Sequence, residues 1–112
     1  MTLREANALR EVEWDPERKL TALFHGNELA GEVGEACNVL KKLERERLGL
    51  RGTRATVEEL ADELADVVIV ADLIALRFGI DLDQAVARKF NKTSEKYGLS
   101  VFMIPSASKE AP

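Results

Sequence analysis

The sequence predicts an all-α fold, a helical bundle of about four helices per chain that a second copy completes. Three observations lead there. Hydrophobic residues make up 46% and charged ones 32% of the 112 residues, with Ala, Leu, Val, Glu, Arg and Lys dominant, a composition suited to helices. Only three Pro and seven Gly are present, too few turn formers for a many-stranded sandwich or barrel. Apolar residues also recur at helical steps along two long segments, and no segment alternates as a strand would. The length suits one domain, expected over residues 1–105, with a small, polar, fraying tail over 106–112.

The first helix is expected around Leu3 to Glu13, stopped at Trp14-Asp15-Pro16 because proline disfavours helix in the residue before it. The second is expected from about Pro16 to Leu48. Its apolar face reads Leu29, Ala30, Val33, Ala36, Cys37, Leu40 and Leu43, and Gly49-Leu50-Arg51-Gly52-Thr53 breaks it. Thr56 with Glu59 forms a capping box for the third helix, which runs to Phe78 and stops at Gly79. Asp81 with Gln84 caps the fourth, which ends at Tyr97-Gly98. The apolar patch Val101-Phe102-Met103-Ile104 is expected to dock on the domain or on a partner subunit.

From Val67 to Leu76 the third helix is apolar nearly all round, so it needs cover on every side. Four helices, of which only two are long, do not supply that cover within one chain. A homodimer or homotetramer is the expectation.

Sixteen basic against twenty acidic residues give a net charge of −4, which argues against nucleic acid as a partner. The single cysteine and single histidine exclude a disulfide framework and a zincin-type site. Met1 to Asn7 lacks the apolar stretch of a signal peptide, and Val67 to Leu76 is too short to span a bilayer. The expected location is therefore cytoplasmic, with no membrane partner.

The chemistry is concentrated in two carboxylate seams. On the third helix Glu59, Glu63, Asp66, Val70 and Leu73 fall on one line, and on the second Glu28, Glu32, Glu35 and Val39 do the same. Both seams run into apolar continuations, which places acids where a bundle normally has leucine. Solvated faces with i,i+4 pairing are the alternative, but two such seams together argue against it. Buried carboxylates lose hydration and need compensation. A divalent cation between the helices supplies it, and an all-oxygen donor set suits Mg²⁺, with Mn²⁺ a second choice.

Glu32-Val33-Gly34-Glu35 followed by Glu63-Leu64-Ala65-Asp66 resembles the paired E-x-x-E and E-x-x-D motifs of the MazG-like all-α nucleoside triphosphate pyrophosphohydrolases. The stretch from Glu28 to Leu43 resembles the family's first motif helix, and Lys89-Phe90-Asn91-Lys92 through Lys96-Tyr97-Gly98 its phosphate-contacting segment. The resemblance covers about residues 15 to 98. It implies Mg²⁺-dependent cleavage of a nucleoside triphosphate between the α- and β-phosphates, with release of monophosphate and pyrophosphate. It also implies that Glu32, Glu35, Glu63 and Asp66 hold the metal and carry catalysis. One of these four, or Glu28 beside them, would orient the attacking water. Lys89, Asn91 and Lys96 would meet the pyrophosphate, although Asn91 points partly away from the face shared by residues 89, 92 and 96. Removal of surplus or noncanonical nucleotides is the implied task. Two alternatives stand beside it: a hydrolase of phosphoribosyl-ATP or dUTP, and a non-catalytic helical interaction module.

Other residues are more ambiguous. Gly31 and Gly34 imply close approach of a nucleotide or a neighbouring helix, or packing alone. His25 reads as a polar edge residue and Cys37 as an inert core thiol. Trp14 and Phe24 could stack on a base, with packing the better reading for the single Trp. The basic run Lys41, Lys42, Arg45, Arg47, Arg51, Arg54 is solvated surface or a loop that steers triphosphate. Asp72 interrupts an apolar run and would cap, pair across a dimer, or extend the metal site.

Overall fold

Short polar side chains open the helices. In the computed structural model, which describes residues 1–104, Thr2, Thr21 and Asp81 each accept a hydrogen bond from a backbone N–H of the first turn of a helix. The helices are α1 (Leu3–Trp14), α2 (Ala22–Arg47), α3 (Val57–Arg77) and α4 (Leu82–Lys96), and the described residues contain no strand. Thr2 and Glu5 form a full capping box at α1. Thr56 Oγ1 accepts from the Glu59 N–H at 3.1 Å, as the sequence predicts for α3. Gly79 and Gly98, with φ of 63° and 65°, turn the chain after α3 and α4 in the left-handed conformation that a Cβ disfavours.

The second helix starts six residues later than the sequence suggests (22 against 16). Asp15 is the reason. Its carboxylate accepts from the backbone N–H groups of Lys19 and Leu20, both at 2.9 Å, which closes a turn that competes with helix. Those two bonds hold its pKa below the ordinary aspartate value.

The chain divides into two compact units, one from Met1 to Arg77 and one beginning at Phe78. In the first, α3 packs against both α2 and α1. The inward stripe of α2 is His25, Leu29, Glu32, Ala36, Val39 and Leu43, at alternating steps of four and three. Ala30, Val33, Cys37 and Leu40, which the sequence groups on the apolar face, are exposed instead. Cys37 is therefore a surface thiol rather than a core one. On α3, Leu60, Glu63, Val67, Val70 and Ile74 form the matching stripe.

Asp72 pairs within its own chain. Arg4 of α1 donates to it from Nε and Nη2, the latter at 2.9 Å, and Asn7 Nδ2 donates to Oδ2 at 3.0 Å. Asn7 is itself buried and also donates to the Ile69 carbonyl. A buried carboxylate in the middle of an apolar helix thus becomes the anchor for α1.

In the second unit, Asn91 of α4 clasps the backbone of Met103: its Nδ2 donates to the Met103 carbonyl at 2.9 Å and its Oδ1 accepts from the Met103 N–H at 2.7 Å. That fixes the segment after α4 while leaving Val101, Phe102 and Ile104 exposed. The expected fraying of 106–112 lies outside the described residues. No described helix is long and apolar enough to cross a membrane.

Candidate metal centre

Glu32 and Glu63 sit inside the two inward stripes, each at a position whose helical neighbours are Leu29 and Ala36 or Leu60 and Val67. Both are half-buried, and Asp66 lies one turn further along α3 on the exposed side. One carboxylate oxygen from each of Glu32, Glu63 and Asp66 falls within 4.8 Å of the others. Glu32 faces Asp66 while Glu35 faces Glu63, so numbers rise on one helix as they fall on the other. The helices are therefore antiparallel across the cluster, and the two motifs meet pairwise.

The electrostatics are unfavourable without a counter-charge. Burial, followed by the fields of Asp66, Glu35 and Glu28, pushes the Glu32 carboxyl above its ordinary value. Glu63 is also raised, first by a hydrogen bond that would share a proton with Glu35, then by burial and the neighbouring acids. The Oε2 atoms of Glu32 and Glu63 are buried and accept no hydrogen bond. Two orphaned anionic oxygens within reach of a third carboxylate fit a hard divalent cation, whose bonds would satisfy them. Glu35 stands next to Glu63 but outside the group of three converging oxygens.

Glu28 lies one turn before Glu32 and is engaged elsewhere. Its Oε1 is 2.6 Å from His25 Nδ1, and His25 Nε2 is 3.0 Å from Glu11 Oε1. Arg77 Nη2 donates to the same Glu11 oxygen at 2.7 Å. Burial would raise Glu11, but the bonds from Arg77 and His25 outweigh it and hold the carboxyl below its ordinary value. His25 is 3% exposed, so the edge position expected for it is wrong. Its partners come from α1 and α3 as well as α2, and no spacing in the sequence signals that meeting.

Trp14 is 76% exposed at the end of α1, so the described residues leave it largely uncovered rather than packed. Lys89, Asn91 and Lys96 all lie on α4. Lys89 lines a shallow groove with Leu82, Val86, Phe90 and Leu99, and Lys96 Nζ sits 5.3 Å from the centre of the Tyr97 ring. Both ends of the Asn91 amide are occupied by Met103. A Cβ at Gly31 or Gly34 would meet nothing within 4 Å, so among the described residues no neighbouring helix approaches either glycine. The basic run is partly tied down, with Arg45 Nη1 donating to the Thr53 carbonyl at 3.0 Å and Arg47 paired with Glu44.

The MazG-like family matches residues 28–103, which include both acidic motifs and α4. The chain belongs to the MazG-like family. The match begins at Glu28 and leaves α1 outside it, so Glu11, Arg4 and Asn7 are features this MazG-like chain carries beyond the matched stretch. No curated protein and no solved structure matches the chain.

Proposed function

We propose that this MazG-like protein is a Mg²⁺-dependent nucleoside triphosphate pyrophosphohydrolase, which cleaves between the α- and β-phosphates. The observation that carries the reading is the pair of buried, unpartnered Oε2 atoms of Glu32 and Glu63 beside Asp66. Membership of the MazG-like family supports it, since the family suggests a nucleotide pyrophosphohydrolase type of function. Glu32, Glu63 and Asp66 would hold the ion, with Glu35 completing the set from α2. When bound, magnesium would offset the charge of the triphosphate and acidify a water molecule.

The chain's own residues then divide the work. A carboxylate at or beside the cluster, with Glu28 of α2 the candidate whose charge is felt at Glu32, orients the water and takes its proton as the water oxygen bonds to the α-phosphorus. The bond from that phosphorus to the bridging oxygen breaks, and pyrophosphate leaves. Lys89 and Lys96 would meet its charge, and Asn91 would do so only after release of Met103. Trp14, exposed on α1, is available to stack on a base. We further propose a homo-oligomer, because Val33 and Leu40 on α2 and Leu64 and Val68 on α3 are left uncovered.

A panel of ribo- and deoxyribonucleoside triphosphates with Mg²⁺ tests the reading. Pyrophosphate and monophosphate are the expected products, with turnover lost in Glu63→Gln and Asp66→Asn variants that remain folded. Release of inorganic phosphate instead would contradict α–β cleavage. Absence of turnover together with absence of Mg²⁺-induced stabilisation would leave a non-catalytic helical module.

A further inference from the structure

The buried histidine lies outside the metal cluster, yet it touches Glu28, a carboxylate whose charge is felt at Glu32. The sequence contains a single histidine. Both of its ring nitrogens face carboxylate oxygens, Glu28 at 2.6 Å and Glu11 at 3.0 Å, and Arg77 braces Glu11 from α3. Arg77 Nη2 also comes within 3.4 Å of Nε2. The ring is thus held by α1 and α3 and in turn holds an α2 side chain. Glu28 itself is about half exposed and long enough to adopt many rotamers unless something fixes it.

We propose that His25 is a positioning residue for the hydrolytic reaction: anchored by Glu11 and Arg77, it fixes Glu28 through Oε1 and leaves Oε2 as the acceptor for the attacking water. This rests on the pyrophosphohydrolase reading and adds to it a carboxylate–imidazole–carboxylate chain that reaches α1, outside the matched family stretch. A carboxylate with one oxygen bonded to a buried ring loses rotational freedom, so its free oxygen meets the water in one orientation.

Two substitutions separate the contacts. The amide nitrogen of Asn reaches the place of Nδ1, so His25→Asn keeps the bond to Glu28. That of Gln reaches the place of Nε2, so His25→Gln keeps only the bond to Glu11. We expect His25→Gln to lower kcat about 10- to 100-fold while KM and the Mg²⁺-induced rise in Tm stay as in the wild type. His25→Asn should stay close to wild-type kcat. The double variant His25→Gln/Glu28→Gln should be no slower than Glu28→Gln alone, since both remove the same function.

A second readout needs neither metal nor nucleotide. In ¹⁵N-labelled protein the only imidazole gives one assigned pair of nitrogen resonances, and Glu28→Gln should move Nδ1 more than Nε2. Unchanged kcat in His25→Gln or in Glu28→Gln, additive losses in the double variant, or an unmoved Nδ1 resonance overturns the positioning role while leaving the pyrophosphohydrolase intact. A wild type that turns over no nucleotide overturns the reaction and the positioning role together, whatever the imidazole spectrum shows.

Discussion

Glu63 is held in a half-buried stripe against the preference of its own charge, and its replacement should show that directly. In metal-free protein near neutral pH, Glu63→Gln is expected to raise Tm by removing the like-charge strain with Glu35, Asp66 and Glu32. The same change should abolish the stabilisation that Mg²⁺ gives the wild type, so a thermal melt with and without Mg²⁺ reads both effects. The pH dependence follows from the directions of the shifts. Glu32 and Glu63 are raised above 4.5, so in the absence of metal their contribution to stability is full below 4.5 and is lost as pH climbs through the raised values. Glu11 and Asp15 are lowered and act in the opposite sense, stabilising above 4.5 and 3.8 respectively and failing as pH falls. Metal-free protein should therefore be most stable in mild acid, and Glu32→Gln or Glu63→Gln should flatten only the limb toward neutral pH. At Asp72 the prediction is simpler. Arg4→Met keeps the bond from Asn7 but takes the guanidinium away from a buried carboxylate, which should cost about 2–3 kcal/mol in urea unfolding.

At the scale of elements, caps and glycines decide where helices begin and end. Thr21→Ala removes the acceptor for the Phe24 N–H and should lower stability by about 1 kcal/mol. Gly52 has φ of 129°, and a Cβ there would fall 2.6 Å from Arg45 Nη1. Gly52→Ala should therefore loosen the loop between α2 and α3 by displacing Arg45 from the Thr53 carbonyl, whereas Gly31→Ala and Gly34→Ala meet only open space. Each of these two should stabilise α2 by about 0.5–1 kcal/mol, measured by urea unfolding. The starts of α3 and α4 are legible in sequence because Thr56 and Asp81 act on residues three positions away. The start of α2 is not, because the competitor is a side chain–backbone turn at Asp15 that the helical periodicity does not reveal. Which face of α2 is buried is likewise decided between helices. Ala30, Val33, Cys37 and Leu40 are as apolar as Leu29 and Ala36, and only the packing against neighbouring helices separates the two sets.

At the scale of the whole molecule, the exposed apolar residues are the feature with the widest consequence. Val68, on the helix whose middle is apolar nearly all round, is 54% exposed. If a second copy covers this face, Val68→Glu should dissociate the assembly, which light scattering after gel filtration would show as a halved mass or less. Unchanged mass on a monomeric wild type would remove the oligomer from the proposed function without touching the metal cluster.

Local chemistry was enough to establish the helical class, three of the four helix starts, the acidic motifs and the family to which they belong. These depend on spacing and on neighbours within a turn, and a single strand of letters contains both. Tertiary structure alone decided that Asp72 pairs with Arg4, that His25 is buried between Glu11 and Glu28, and that Cys37 and Trp14 face outward. Each of these turns on which side of one helix meets another. The contact energies that settle such rotations belong to pairs of residues tens of positions apart, and no periodicity records them.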